Sequence, residues 1–354
     1  MKRKAVSPSI DLLAEQRLHD ALEKFQLVEL RLKDLIPWEM LRESLSKTRA
    51  DYSRGGRPPY DEVFMFKCLI LQVLYGLSDE SLEIEIYNRF SFRVFLGMNL
   101  ASDVPDRNTI WKFRERLTEL DLMKTLFDEF GKYLEKLGLV IKQGTIIDST
   151  FVEAPRQQNP PEINLAIRED KPRDEIFKDR SESVKRHKDT DARWAKKRNE
   201  LHYGYKNHTQ VSADAKVVID YKVTPANAFD GNVFLDFYPP QSEPSNATVW
   251  ADSAYNTKKN VAELTARGYC PELCEKGCGG KPLTDLQREN NHLKSKKRCR
   301  VEHVYAAMTI RGRGLTLRTI GIARAKTQIG LINLSYNMRR YLFLSQQPTV
   351  EQCA

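Results

Sequence analysis

Length and charge set the first limits on this protein. At 354 residues the chain exceeds the usual size of a single domain, so we expect two domains. Hydrophobic residues make up 41% and charged residues 30%, which predicts a soluble protein with apolar cores. The formal net charge of +9 favours a polyanionic partner, and nucleic acid is the commonest one. No apolar run approaches the roughly 18 residues of a membrane span, so we exclude a membrane protein and expect a cytoplasmic one.

The first 138 residues predict an all-α domain. Apolar residues recur at helical spacing among charged ones, and Gly76 ends the most apolar of the helices. Ser78 and Asp106 stand where N-caps are expected, each directly before a helix. Short helices joined by tight turns are typical of a helix-turn-helix-like module. The predicted helices cover residues 11–50, 60–75, 78–87, 107–117 and 120–137.

An α/β domain is predicted over residues 139–345. Runs of β-branched and apolar residues predict strands, two of which end at Asp148 and Asp252. Three strands, a helix, a strand and then helices is the element order of a ribonuclease-H-like fold, with a mixed sheet flanked by helices. The remaining predicted strands cover 208–213 and 216–223, and the helices 257–267, 298–310 and 323–344.

Two segments of this domain read as loops. Residues 155–200 are dense in charges of both signs and poor in apolar residues, which predicts a polar insert or a long, partly disordered loop. Residues 268–292 are interpreted as a second loop.

Three acidic residues are the candidates for catalysis. Asp148 and Asp252 each follow a buried strand, where a carboxylate is fixed by the sheet and faces a ligand site, although such an Asp also serves as a turn former or helix cap. Glu302 is the single acid among ten Lys and Arg residues between 291 and 326, so it is either a third site acid or an ordinary salt-bridge partner. Three acids around one cavity repel one another unless divalent cations fill it, and Mg²⁺ suits carboxylates and phosphate oxygens. We therefore predict two Mg²⁺ ions, replaceable by Mn²⁺, for an in-line phosphoryl displacement.

Basic residues cluster directly before Glu302. We predict that they hold the phosphate backbone of a nucleic acid, because each neutralised phosphate adds affinity that depends on salt and little on sequence. The alternative is a solvated basic face. The cluster consists of Lys294, Lys296, Lys297, Arg298 and Arg300.

Nine short stretches match a known pattern: residues 57–60, 76–79, 105–109, 147–150, 203–208, 223–227, 251–255, 300–303 and 334–340. Taken together and in order, they resemble the DDE transposases of bacterial insertion sequences, particularly insertion-sequence family 5. The resemblance implies a ribonuclease-H-like core, two divalent metals and action on the inverted repeats that end a mobile element. It makes Asp148, Asp252 and Glu302 the catalytic, metal-binding acids, and it favours a substrate-facing role for Lys206, with an ordinary strand-entry lysine as the alternative.

The resemblance predicts an enzyme that cleaves phosphodiesters at the terminal inverted repeats and joins the 3′-hydroxyl ends to target DNA. Its helical domain would bind double-stranded DNA, with Arg107 and Lys112 among the contacts. Two element ends must meet, so we expect a homodimer or a larger assembly on DNA. The alternatives are a hydrolytic nuclease or junction resolvase on the same core, and a catalytically silent DNA-binding protein derived from a transposon.

Two further features carry open alternatives. Cys270, Cys274 and Cys278 are either free thiols or a zinc site with unusual spacing. Trp194 lies among basic residues and either packs against the core or stacks on an unpaired base.

Overall fold

The computed structural model describes residues 13–49, 58–140, 144–197, 199–241, 247–277, 282–309 and 315–347. The chain divides into two compact units, Met1–Phe113 and Arg114–Ala354. Within the described ranges no helix is both long and apolar enough to cross a membrane.

The first unit is helical, as predicted. Its core is made of fully buried side chains such as Phe66, Phe92 and Phe95. The two predicted caps are confirmed: the Ser78 hydroxyl accepts the Ser81 amide at 3.0 Å, and Asp106 accepts the Thr109 amide at 2.8 Å. The helices are α1 (Ala14–Glu23), α2 (Val28–Leu35), α3 (Arg42–Ser46), α4 (Glu62–Tyr75), α5 (Asp79–Asn88), α6 (Phe90–Leu96) and α7 (Arg107–Glu119), the last of which crosses the division between the units.

The second unit is an α/β domain. Its elements are α8 (Leu122–Lys136), β1 (Gly144–Glu153), α9 (Pro161–Arg168), α10 (Arg173–Ile176), α11 (Glu182–Arg186), β2 (Arg193–Lys197), β3 (Glu200–Ser212), β4 (Val218–Pro225), α12 (Asp230–Phe234), β5 (Ala247–Ala251), α13 (Lys258–Ala266), β6 (Tyr269–Leu273), α14 (Asp285–Arg298), α15 (Arg300–Met308) and α16 (Ile322–Leu344). The division between the units lies earlier than the boundary expected after residue 138, because α8 packs against α16.

The sheet has the predicted ribonuclease-H-like arrangement. Strands β1, β3 and β4 form an antiparallel meander, and β5 and β6 continue the sheet parallel to β1. The order is β4-β3-β1-β5-β6, with β2 pairing to the first residues of β3. One face packs on α12 and α13 through a core that includes Ile147, Phe234 and Tyr255. Asn337 of α16 forms two hydrogen bonds with β4. Its side-chain oxygen accepts the Val218 N–H, and its side-chain nitrogen donates to the Val218 carbonyl.

The segment 155–200 is folded, which corrects the prediction of a loop. It contains three short helices and β2, and Phe177 within it is buried. Its anchor is Asp189, a buried carboxylate that accepts the Tyr205 hydroxyl at 2.8 Å and the Gly321 amide at 3.0 Å. Asp191 accepts the Ile322 amide at 2.8 Å, so two acids of the insert satisfy free N–H groups where α16 begins. These long-range hydrogen bonds order a segment that has few apolar residues.

The segment 268–292 also corrects a predicted loop. Strand β6 pairs with β5 over five positions even though it contains Pro271, which a strand at the sheet edge tolerates. Helix α14 then begins with a capping box formed by Thr284 and Gln287. The first strand differs too: β1 continues to Glu153, so Asp148 lies within the strand and not at its end.

Candidate active site

The sheet register brings Asp148 and Asp252 together. In the parallel pair β1–β5, Ile146 stands opposite Trp250, which places Asp148 level with Asp252 two residues further on. The negative charge of Asp252 acts on the pKa of Asp148, which indicates that the two carboxylates are neighbours. Strand β5 ends at Ala251, and Asp252 then accepts the Ala254 amide at 2.8 Å, which fixes the turn that carries it.

Asp148 is largely withdrawn from water, with 15% of its side chain exposed. Its pKa is raised to about 6, mainly by burial and also by the negative charge of Asp252, whereas the Ser149 amide and the Arg298 guanidinium oppose the rise. The result is a pair of neighbouring carboxylates of which one is poorly solvated. Such a pair attracts cations.

Arg298 links Asp148 to Glu302. Its Nη1 lies 3.1 Å from Asp148 Oδ2 and its Nη2 lies 3.6 Å from Glu302 Oε1. Glu302 stands in the first turn of α15 and 63% of its side chain is exposed. Two of the three predicted acids, Asp148 and Glu302, therefore contact one guanidinium, which supplies the positive charge between them. Among the described residues, no three His, Cys, Asp or Glu side chains form a group that could hold a metal ion.

Helix α15 is held over the same face of the sheet by Tyr305. The Tyr305 hydroxyl lies 2.8 Å from Thr209 Oγ1, and Thr209 is the β3 residue directly opposite Asp148. Burial and the nearby Asp148 charge raise the pKa of Tyr305 well above its usual range, so the hydroxyl stays protonated. Sequence reasoning missed Tyr305. Its spacing three residues after Glu302 in a helix was the available signal.

Comparison with known protein families decides the assignment. A family profile described as "Transposase DDE domain" matches residues 141–338, which include all three acids, and a profile described as "Transposase domain (DUF772)" matches residues 17–116. This chain is a DDE transposase. Its structure is similar to that of a piggyBac transposase in a synaptic complex with hairpin DNA, at 11% sequence identity and a TM-score of 0.43, with 92% of this chain and 83% of the other covered.

The basic residues before Glu302 fall into two groups in the transposase. Lys294 binds Glu272 at 3.2 Å, and Arg300 binds Asp214 at 3.1 Å, so both have acidic partners within the protein. Lys296 and Lys297 are exposed on the last turn of α14. Two of the ten basic residues counted in this region, Arg311 and Arg313, lie outside the described residues.

Lys206 lies apart from the three acids. Strand alternation places it on the sheet face opposite to Asp148, and its ammonium binds Asp230 Oδ1 and the Ala228 carbonyl, each at 2.8 Å. Its partner Asp230 was not among the predicted site residues. In the first unit, Arg107 binds Glu80 at 3.2 Å and Lys112 is exposed.

The cysteines and Trp194, which the sequence analysis left with open alternatives, lie on different elements of the transposase. Cys270 is exposed on β6, Cys274 is buried beside Ser295, and Cys278 lies outside the described residues, so the zinc alternative stays untested. Trp194 on β2 is 46% exposed, and its ring lies against Tyr203 and the Arg156 guanidinium.

Proposed function

We propose that this transposase cleaves a phosphodiester bond at each terminal inverted repeat of an insertion sequence and joins the freed 3′-hydroxyls to target DNA. The observation that carries the proposal is that the charge of Asp252 acts on the buried Asp148 carboxylate, while Glu302 is joined to Asp148 through Arg298. Membership of insertion-sequence family 5 remains part of this proposal.

The donor set fits Mg²⁺, and Mn²⁺ as its substitute, because it consists of hard carboxylate oxygens. Asp148 supports the fit, since its poorly hydrated carboxylate beside Asp252 favours a nearby cation. Asp148 and Asp252 would hold the ions, and Glu302 would join them once it parts from Arg298. A pair of Mg²⁺ ions, when bound, stabilises the charge on the attacking and leaving oxygens of an in-line displacement.

The protein's own part in the reaction is to position the carboxylates and to neutralise the charge of the DNA phosphates. The paired strands β1 and β5 and the Asp252 turn fix the backbone of two carboxylates. Little conformational freedom of these side chains is therefore lost when the reaction begins. Arg298 contacts Asp148 and Glu302 through its planar guanidinium. A guanidinium can bind phosphate oxygens as well as carboxylates. The exposed Lys296 and Lys297 would bind backbone phosphates nearby with salt-dependent affinity.

The proposed partners follow from the same reaction. The helical first unit would bind double-stranded DNA at the element ends, with Arg107 and Lys112 among its contacts. Two ends must be held together for joining, which makes a homodimer or larger assembly on DNA the expected working form.

The test is a strand-transfer assay on DNA taken from both flanks of the gene, with a supercoiled plasmid as target and Mg²⁺ or Mn²⁺ present. Wild-type protein should cut at the element ends and give joined products, whereas Asp148→Asn, Asp252→Asn and Glu302→Gln should bind the ends without cutting. Cleavage without joined product would favour the nuclease or resolvase alternative. Binding of the ends by wild-type protein without any cleavage would indicate a silent DNA-binding protein.

A further inference from the structure

Three basic side chains lie where the turn between β3 and β4 meets α15 and α16. The Lys216 ammonium is 3.2 Å from Nδ1 of His303, which belongs to α15. From α16, Arg340 Nε donates to the Ala215 carbonyl of the turn at 2.6 Å, and Arg339 Nη1 donates to a carbonyl of α15 at 3.2 Å. We call Lys216, Arg339 and Arg340 the turn cluster. These contacts hold three cations on one small surface of the second unit.

The positive charge of the turn cluster is not neutralised by acids. Its partners are two backbone carbonyls and one imidazole nitrogen, and within the described ranges no carboxylate pairs with any of the three cations. The neighbouring Arg300 differs, because it binds Asp214 at 3.1 Å. Each carbonyl contact uses one nitrogen of a guanidinium, and a guanidinium carries five N–H donors. The carbonyls therefore orient the two arginines and leave their charge for an anion outside the protein.

The turn cluster lies on a different flank of α15 from Glu302. His303 and Ala307, which contact the cluster, are four residues apart and form one stripe of the helix. Glu302 precedes His303 by one residue, so it stands about 100° around the helix from that stripe. On β3, Thr209 pairs with Asp148, and the turn starts four residues later, a distance of about 13 Å at roughly 3.3 Å per residue. The cluster is thus near the acids but separate from them.

We propose that the turn cluster binds the phosphate backbone of the target DNA. Cations at a protein surface contact phosphates without reading bases, and this is sufficient to hold a target duplex, whereas the element ends have to be distinguished by their bases. A distance of about 13 Å corresponds to roughly four base pairs at about 3.4 Å each, so the cluster meets the backbone close to the joined phosphate. The inference rests on the proposed function, because only a joining enzyme binds a target.

The first test is the salt dependence of binding to a duplex of unrelated sequence, measured by fluorescence anisotropy in EDTA. The double variant Lys216→Asn with Arg339→Gln removes two cations, and Asn tolerates the left-handed backbone of Lys216, whose φ is +54°. Each lost phosphate contact changes the slope of log K against log salt by about 0.9, so the slope should become shallower by about 1.8.

The matched control is Lys178→Gln with Arg180→Gln. This pair also removes one lysine and one arginine, both exposed, but from the segment 155–200, and it should leave the slope unchanged. Arg339→Gln alone replaces the double variant if the latter folds poorly, because Arg339 is exposed; its slope should be shallower by about 0.9. A slope no shallower than that of the control would overturn the proposal.

The second test separates target DNA from the element ends. With Mg²⁺ and a supercoiled plasmid, the Lys216→Asn, Arg339→Gln protein should join precut ends at least about tenfold less than the wild type, since it holds the plasmid through fewer phosphates. Its cutting of intact ends should stay within about twofold of the wild type, because the element ends do not use these phosphate contacts. Equal losses of cutting and joining would refute the assignment to the target. Wild-type protein that cuts without joining would instead refute the proposed function, and the salt slopes would still measure the phosphate contacts.

Discussion

Replacement of Asp148 by Asn should stabilise the protein near neutral pH while it abolishes cutting. Burial is the main reason why the pKa of this carboxyl is raised from 3.8 to about 6 in the folded chain. Asn has nearly the same shape and cannot ionise, and its carbonyl oxygen can still accept the Ser149 amide that Asp148 accepts at 2.8 Å. The variant thus removes a poorly solvated charge and keeps its hydrogen bond.

The expected gain follows from the difference between the folded and unfolded pKa. A rise from 3.8 to about 6 corresponds to about 3 kcal/mol between the two protonation states. Because the folded pKa of Asp148 is the higher one, the wild-type protein keeps this stability below pH 3.8 and loses it as the pH rises through 6. The variant should therefore exceed the wild type by up to about 3 kcal/mol at pH 7.5, and by roughly half of that at pH 5.

Urea unfolding in EDTA at pH 7.5 and pH 5.0, followed by circular dichroism, measures both differences. Asp179→Asn is the matched control, because Asp179 is exposed in the same unit and its replacement should change stability at neither pH. Adding Mg²⁺ should stabilise the wild type more than Asp148→Asn, since the ion binds only the folded form. An Asp148→Asn protein less stable than the wild type at pH 7.5, or a difference independent of pH, would refute the reasoning from burial.

Three other predictions test the contacts around the site. Arg298→Gln removes the cation that joins two of the acids, so titration calorimetry should show tighter Mg²⁺ binding to the DNA-free protein; weaker binding would contradict the role of counterion. Asp189→Ala leaves the Tyr205 hydroxyl without its buried partner, and should lower the free energy of unfolding by about 3 kcal/mol or more, a loss that urea denaturation would reveal. Tyr305→Phe removes one hydrogen bond to Thr209 and should cost about 1 kcal/mol in the same assay, and a neutral result would mean that this bond does not hold α15.

Local signals were sufficient for much of the fold. Ser78 and Asp106 cap helices where their side chains predicted, because an N-cap hydrogen bond spans only three residues. The apolar runs before Asp148 and Asp252 predicted two buried strands, and the structure has β1 and β5 there. The element order likewise predicted the sheet. The caps and the individual strands depend on residues close together in the chain.

Other features depend on residues that only folding brings together. The insert around Asp189 was predicted as a loop because it is ordered by hydrogen bonds to Tyr205 and Gly321. These partners are distant in the sequence, so the local pattern of apolar residues does not reveal them. The spacing of Arg298 and Glu302 predicted at most a helical ion pair, whereas the contact of Arg298 with Asp148 joins residues 150 positions apart.

By itself, then, the sequence predicted the helices of the first unit and the strands that lead to Asp148 and Asp252, since local periodicity and caps encode such elements, and the matched motifs made Asp148, Asp252 and Glu302 the candidate acids. Only the tertiary structure decided what stands between Asp148 and Glu302, which is the Arg298 guanidinium. The physical reason is that burial and charge at a site are set by the distances between side chains from separate elements, and those distances exist only in the folded chain.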